Sequence, residues 1–68
     1  MRMYQFNVPD MTCGHCAGTI TKAVKTADPE ATVEIDLAHH LVKVESTLAH
    51  DKIEGQITEA GYTPTAVD

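Results

Sequence analysis

The stretch MTCGHC, residues 11–16, contains the only two cysteines of this 68-residue chain, Cys13 and Cys16. An alternating apolar run precedes it and an amphipathic run follows it, which predicts a turn between a strand and a helix. In the first turn of a helix, unpaired N–H groups and the positive end of the dipole favour a deprotonated thiol. The sequence therefore predicts a pair of thiolates that suits a soft metal ion.

The composition predicts one small domain over residues 1–68. Apolar residues make up 43% of the chain, which is enough for a packed core rather than a disordered segment. A chain of this length buries only about 60% of its unfolded surface, so there is little room for a large cavity. Because Trp is absent and there are only two Tyr and one Phe, the core must be mostly aliphatic.

Charge and hydropathy argue against several classes of partner. The net charge of −5 disfavours nucleic acid and suits a basic surface on a partner protein. No apolar run approaches the roughly 18 residues of a membrane span, and the N-terminus lacks the apolar segment of a signal peptide. We therefore expect a cytoplasmic protein without membrane insertion. In a reducing compartment, closely spaced cysteines are more typical of metal or redox chemistry than of a structural disulfide.

Period-two alternation predicts four strands, over residues 3–8, 32–37, 42–45 and 63–67. In the second strand Val33, Ile35 and Leu37 are expected to face the core. Residues 38–40, with the sequence Ala-His-His, are the predicted hairpin turn between the second and third strands. Pro64 lacks a backbone donor and indicates an edge strand or a strand start.

Two segments have the 3.6-residue period of amphipathic helices. The first covers residues 14–27. The second is predicted to be capped by Ser46 or Thr47 and to run through Ala60, with Gly61 as a left-handed C-terminal cap. The residues expected to face the core are Cys16, Ile20, Val24 and Ala27 in the first helix and Ala49, Ile53, Ile57 and Ala60 in the second.

The order strand, helix, strand, strand, helix, strand predicts an α+β, ferredoxin-like sandwich. This fold has a four-stranded antiparallel sheet with both helices on one face. We expect His39 and His40 to be exposed in the hairpin turn, far from the cysteines. Met3 and His50 are expected to be surface residues.

The motif M-T-C-x-x-C in the first connection of such a chain resembles the heavy-metal-associated domain. That family includes small bacterial copper chaperones and the N-terminal metal-binding domains of copper-transporting P-type ATPases. The resemblance extends over the whole chain, including Gly61 and Tyr62 before the last strand. It implies that Cys13 and Cys16 bind Cu(I) and pass it by ligand exchange to the metal-binding domain or the transmembrane ion entrance of a P-type ATPase.

The resemblance also implies roles for residues around the cysteines. Met11 is a core residue that anchors the loop, and Tyr62 shields and tunes the metal site. Asp10 replaces the Gly of many relatives and brings a carboxylate near the site. Relatives that carry zinc or cadmium have Asp directly before the first cysteine, where this chain has Thr12, and this favours copper. His15 is expected to be solvated, with a third ligand or a proton-linked modulator as the alternative.

Other metals and other functions stay open at the level of sequence. Zn(II) in structural sites takes four ligands, so zinc would have to recruit Asp10, His15 or a second molecule. Cd(II) and Hg(II) are further alternatives, and a metal-bridged homodimer with four thiolates is another. The chain could be the N-terminal domain of a heavy-metal ATPase rather than a separate chaperone. A thiol redox protein is a weaker alternative. No catalytic constellation is recognisable, so we do not expect an enzyme.

Overall fold

The computed structural model describes residues 2–67 and contains the predicted βαββαβ order. The strands are β1 (Arg2–Asn7), β2 (Thr32–Asp36), β3 (Leu41–Ser46) and β4 (Thr65–Val67), and the helices are α1 (Gly14–Ala27) and α2 (His50–Glu59). The ferredoxin-like prediction is confirmed, and the bounds of α1 agree with the predicted ones. Neither helix has the length and apolar character that a membrane span requires.

All strand pairs in the sheet are antiparallel, in the order β2-β3-β1-β4. Strand β4 lies at one edge and begins directly after Pro64, as the proline indicated. Strand β1 is central: Asn7, its last residue, lies opposite Leu41 of β3 on one side and Thr65 of β4 on the other. The connections before β3 and before β4 therefore lie at the same end of the sheet as the loop that leaves β1.

The core lies between the sheet and the two helices. The apolar stripes predicted for α1 and α2 are confirmed at their central residues. Those residues are fully buried: Ile20, Val24, Ile53 and Ile57. The complete set of buried apolar residues is Phe6, Val8, Met11, Ile20, Val24, Ala31, Val42, Val44, Ile53 and Ile57. Two positions predicted to face the core do not: Leu37 follows the end of β2 and is 38% exposed, and Ala49 precedes α2 and is exposed.

The start of α2 differs from the prediction. Its N-cap is Ala49, which makes no side-chain capping bond, so the prediction of Ser46 or Thr47 is wrong. Strand β3 continues to Ser46, and this places its hydroxyl inside the protein. The hydroxyl donates to Oδ2 of Asp28 at 2.6 Å and accepts from the backbone N–H of Leu48 at 3.0 Å. Ser46 thus joins the end of β3 to the segment that follows α1.

His50 is also placed differently from the prediction. It is half-buried rather than a surface residue, because its ring packs against two aromatic rings of β1. The ring centroids lie 5.4 Å from Tyr4 and 5.1 Å from Phe6. Met3 is 57% exposed, as expected.

Replacing Ser46 by Ala is expected to lower the free energy of unfolding by about 1–3 kcal/mol. The substitution removes the donor to Asp28 and the acceptor for the Leu48 N–H in a buried position. Urea denaturation followed by circular dichroism measures the change. Thr47→Ala at the exposed neighbouring position is the control, with a change within about 0.5 kcal/mol. Equal stability of both variants would contradict the structural role of the Ser46 hydroxyl.

Candidate metal centre

The two cysteines lie at the junction between the first loop and α1. Cys13 is the N-cap residue, with φ −152° and ψ 169°, and Cys16 lies in the first helical turn. Both are free thiols, and their sulfur atoms are 3.4 Å apart. A disulfide requires about 2.05 Å, whereas one ion can contact both sulfurs because metal–sulfur bonds are about 2.3 Å. The pair can therefore chelate a single thiophilic ion.

The helix terminus is a favourable place for negative charge. The first turn of α1 contains no acidic residue that would offset the positive end of its dipole. Cys13 supplies the carbonyl that accepts the Ala17 N–H at 3.1 Å, so its position is fixed by the helix itself. Its side chain is exposed, whereas that of Cys16 is half-buried and packs against the core. The two thiols thus differ in how freely another molecule can reach them.

The thiol of Cys16 is activated by its surroundings. Its pKa is lowered from the ordinary 9.0 to about 7. The largest cause is a hydrogen bond from the Tyr62 hydroxyl, followed by the backbone of Thr12 and the thiol of Cys13. The same interaction raises the pKa of Tyr62, because ionising the tyrosine beside a thiolate is unfavourable. The lowered pKa favours the thiolate of Cys16 near neutral pH, and the thiolate is the form that binds metal.

The C-terminal end of α2 places Tyr62 beside Cys16. Gly61 has φ +100°, which confirms the predicted left-handed cap. The Gly61 N–H donates to the carbonyl of Thr58 at 3.0 Å, and the Tyr62 N–H donates to that of Ile57 at 3.3 Å. These two bonds form a Schellman motif, which fixes the direction of the chain as it leaves the helix. The phenol ring then packs on the core.

Met11 holds the loop that carries the cysteines. Its side chain is fully buried in the core, which fits the anchoring role that the family resemblance implies. The Met11 N–H donates to the carbonyl of Val8 at 3.0 Å and closes a tight turn before the cysteines. Its side chain belongs to the apolar cluster against which Cys16 packs.

The expectation that His39 and His40 are both exposed is wrong for His40, which is half-buried and contacts the loop that carries the cysteines. The Nδ1 atom of His40 lies 3.0 Å from the carbonyl oxygen of Met11, within the loop that carries the cysteines. The reason is the antiparallel pairing of β1 with β3, which brings the hairpin turn to the end of β1. His39 is exposed as expected and contacts Asp36 instead, at 2.9 Å.

The other residues predicted to lie near the cysteines are Asp10, Thr12 and His15. Oδ1 of Asp10 accepts the N–H of Thr63 at 3.3 Å, so this carboxylate joins the first loop to the loop before β4. Thr12 and His15 are exposed. Within residues 2–67, no His, Cys, Asp or Glu supplies a third ligand atom within 4.8 Å of both sulfurs. In the described chain the site therefore offers two protein ligands and open coordination positions.

Comparisons with known proteins agree with this fold. The family model of the heavy-metal-associated domain matches residues 5–63, and the chain belongs to that family. The structure is similar to that of a gold binding protein, with 42% identity and a TM-score of 0.91, covering 94% of this chain and 98% of that one. No significant match was found among curated proteins.

Two further structures come from Synechocystis PCC6803. The copper chaperone Atx1, in a trimeric form, is 38% identical with a TM-score of 0.88, covering 90% of this chain and 97% of its own. The N-terminal domain of PacS has a TM-score of 0.87 with both chains fully covered. Its identity of 17% supports the similarity of fold alone.

Replacing Tyr62 by Phe is expected to move the ionisation of Cys16 to higher pH. The rate of Cys16 alkylation in the reduced, metal-free protein should rise with pH with a midpoint near 7 in the parent chain. Loss of the phenol donor destabilises the thiolate, so the midpoint of the variant lies above that value. Peptide mapping by mass spectrometry distinguishes Cys16 from Cys13. Tyr4→Phe, which removes a hydroxyl bonded to the Leu48 carbonyl, is the control. Identical midpoints in parent and Tyr62→Phe would contradict the assignment.

Ala substitutions at Gly61 and Gly55 are expected to have opposite effects on stability. At Gly61 the positive φ strains any L-residue, so the free energy of unfolding falls by about 1–2 kcal/mol. Gly55 lies within α2, and a Cβ there meets nothing within 4 Å, so Ala stabilises the helix by about 0.5–1 kcal/mol. Thermal and urea unfolding measure both changes. A stabilising effect of Gly61→Ala would contradict the Schellman cap.

Proposed function

We propose that this protein is a cytosolic copper chaperone, a non-catalytic carrier that binds Cu(I) through Cys13 and Cys16. It would pass the ion by ligand exchange to the metal-binding domain or the transmembrane ion entrance of a P-type ATPase. The observation that carries this proposal is the pair of free thiols 3.4 Å apart at the start of α1. The proposal adds to membership of the heavy-metal-associated family, which by itself leaves the metal and the recipient open.

The chemistry of the donor set favours a soft monovalent ion. Cu(I) is satisfied by two thiolates, and soft sulfur ligands disfavour Mg(II) and Ca(II). Zn(II) prefers four ligands, and the described chain offers only two. One Cu(I) with two thiolates carries a net charge of −1, and the positive end of α1 stabilises that charge. Similarity to a copper chaperone and to a gold binding protein supports a site for soft metals.

The difference in exposure between the two thiols supports transfer by stepwise exchange. A partner thiolate approaches the open side of the ion and forms a third Cu–S bond. The Cu–S bond to the exposed Cys13 then breaks, and its thiolate is released to solvent and takes up a proton. Cys16, which is half-buried and packs against the core, releases the ion last, after a second partner thiolate has bound. At each step the ion keeps at least two sulfur ligands, so free copper is never formed.

Anaerobic titration of the reduced protein with Cu(I) tests the proposed binding. Replacing either Cys13 or Cys16 by Ser is expected to abolish tight binding, measured by competition with a chromophoric chelator. Circular dichroism of these variants should match the parent, because the buried core does not include the Cys13 or Cys16 side chains. A cysteine variant that binds Cu(I) as tightly as the parent would contradict the proposal.

The same titration separates the alternatives. His15→Asn is the matched control inside the motif. Its affinity for Cu(I) is expected to equal that of the parent, because the His15 ring is exposed and does not lie within 4.8 Å of both sulfurs. Adding Zn(II) in competition should not displace Cu(I) under reducing conditions. Measuring the molecular mass during the titration detects a metal-bridged homodimer, which would appear as a doubling of mass near half an equivalent of copper.

A further inference from the structure

The hairpin turn between β2 and β3 makes two hydrogen bonds to the loop that carries the cysteines. The carbonyl of His40 accepts the N–H of Val8 at 2.8 Å, at the start of that loop. The ring Nδ1 of His40 lies 3.0 Å from the carbonyl oxygen of Met11, at its centre. One residue of the turn therefore holds the loop at two points, Val8 and Met11, both ahead of the cysteine pair in the chain.

The second contact fixes the protonation pattern of the ring. A carbonyl oxygen only accepts hydrogen bonds, so Nδ1 of His40 must carry the proton that is shared with Met11. In the neutral ring, Nε2 is then the unprotonated nitrogen. This defines a single tautomer, which can be observed directly.

The backbone of His40 is held in a conformation that a side chain normally avoids. Its φ is +56°, and His40 is the only non-glycine residue of the described chain with a positive φ. Such a conformation is strained for most L-residues, although histidine adopts it more often than most. Glycine would relieve this strain, but it could not supply the ring N–H. The ring N–H at Met11 is therefore a contact that glycine at this turn position could not make.

We infer that His40 is a positioning residue of the metal site. Its Nδ1–H holds the Met11 carbonyl and keeps the loop in the conformation that brings the two sulfurs together. Met11 is fixed on one side by its buried side chain and on the other by this bond. A loop that is ordered before the metal arrives pays less conformational entropy on binding. The expected effect on Cu(I) affinity rests on the proposed function. The expected effect of His40 on the conformation of the loop does not depend on it.

Three substitutions at one position separate the ring from the backbone. His40→Gly removes the N–H and relieves the strain at positive φ. His40→Asn places an amide N–H at the same side-chain position as Nδ1 and tolerates the left-handed conformation. The matched control is His39→Ala, which removes the adjacent, exposed ring that contacts Asp36 and not the metal loop.

Cu(I) affinity is expected to fall by about tenfold in His40→Gly, similar to the loss of other groups that orient metal ligands. His40→Asn is expected to restore most of the affinity, and His39→Ala to leave it unchanged. Global stability of His40→Gly should not fall, which separates positioning from a general loss of fold. Parent affinity in His40→Gly, or an equal loss in His39→Ala, would overturn the inference.

A second readout needs no metal. In the reduced apo protein, ¹⁵N chemical shifts of the His40 ring should report the Nδ1–H tautomer. Hydrogen exchange at the Met11 amide, which is bonded to Val8, should speed up in His40→Gly and return towards the parent rate in His40→Asn. An Nε2–H tautomer with unchanged exchange would overturn the inference even if Cu(I) binds as proposed. If the cysteine variants retain Cu(I), the proposed function fails, and the apo measurements still decide whether His40 holds the loop.

Discussion

Antiparallel pairing on both sides of β1 is the constraint on which the rest of the site depends. Because Asn7 pairs with Leu41 and with Thr65, the turn before β3 and the loop before β4 must lie beside the loop that follows β1. That single register brings His40 to the Met11 carbonyl and Tyr62 to the thiol of Cys16. A slip of one residue would also reverse the faces of β1 and expose Phe6, so core burial and site geometry enforce the same pairing.

The residues that stabilise the fold are different from the two cysteines of the candidate metal site. The buried core is aliphatic apart from Phe6 and Met11, and none of its side chains is a thiol. The thiols lie outside it, held by a helix terminus, a buried anchor residue and two neighbouring loops. Such an arrangement lets metal come and go without unfolding the protein, unlike small domains whose fold depends on a bound ion. Of the two thiols, that of Cys13 is exposed and that of Cys16 is half-buried.

Much of this structure followed from local sequence patterns. The period of apolar residues predicted α1 correctly, and Gly61 after an amphipathic run indicated the cap that the structure contains. The cysteine pair and its place at a strand–helix junction were evident from spacing alone. In the predicted fold β1 and β3 pair antiparallel, so the hairpin turn must lie at the same end of the sheet as the cysteine loop. The contact of His40 with that loop follows from this pairing, but it was not predicted.

The features that were missed depend on contacts between distant segments. Serine is a residue type that often caps helices. Only the pairing of Ser46 within β3 and its bond to Asp28 show that it is buried and joins β3 to the segment after α1. His50 is a polar residue at a helix start, yet its ring contacts those of Tyr4 and Phe6. The family resemblance placed Tyr62 at the site, but no local pattern reveals that its hydroxyl lowers the pKa of Cys16, 46 positions away. Local signals specify elements, whereas these interactions are set by how the elements pack.

X-ray absorption at the copper edge of the reduced protein, loaded with one equivalent of Cu(I), identifies the atoms that bind the ion. We expect monovalent copper whose nearest neighbours are sulfur alone, supplied by the two thiolates of one chain. A first shell dominated by nitrogen or oxygen, or copper that does not remain with the protein after desalting, would contradict it.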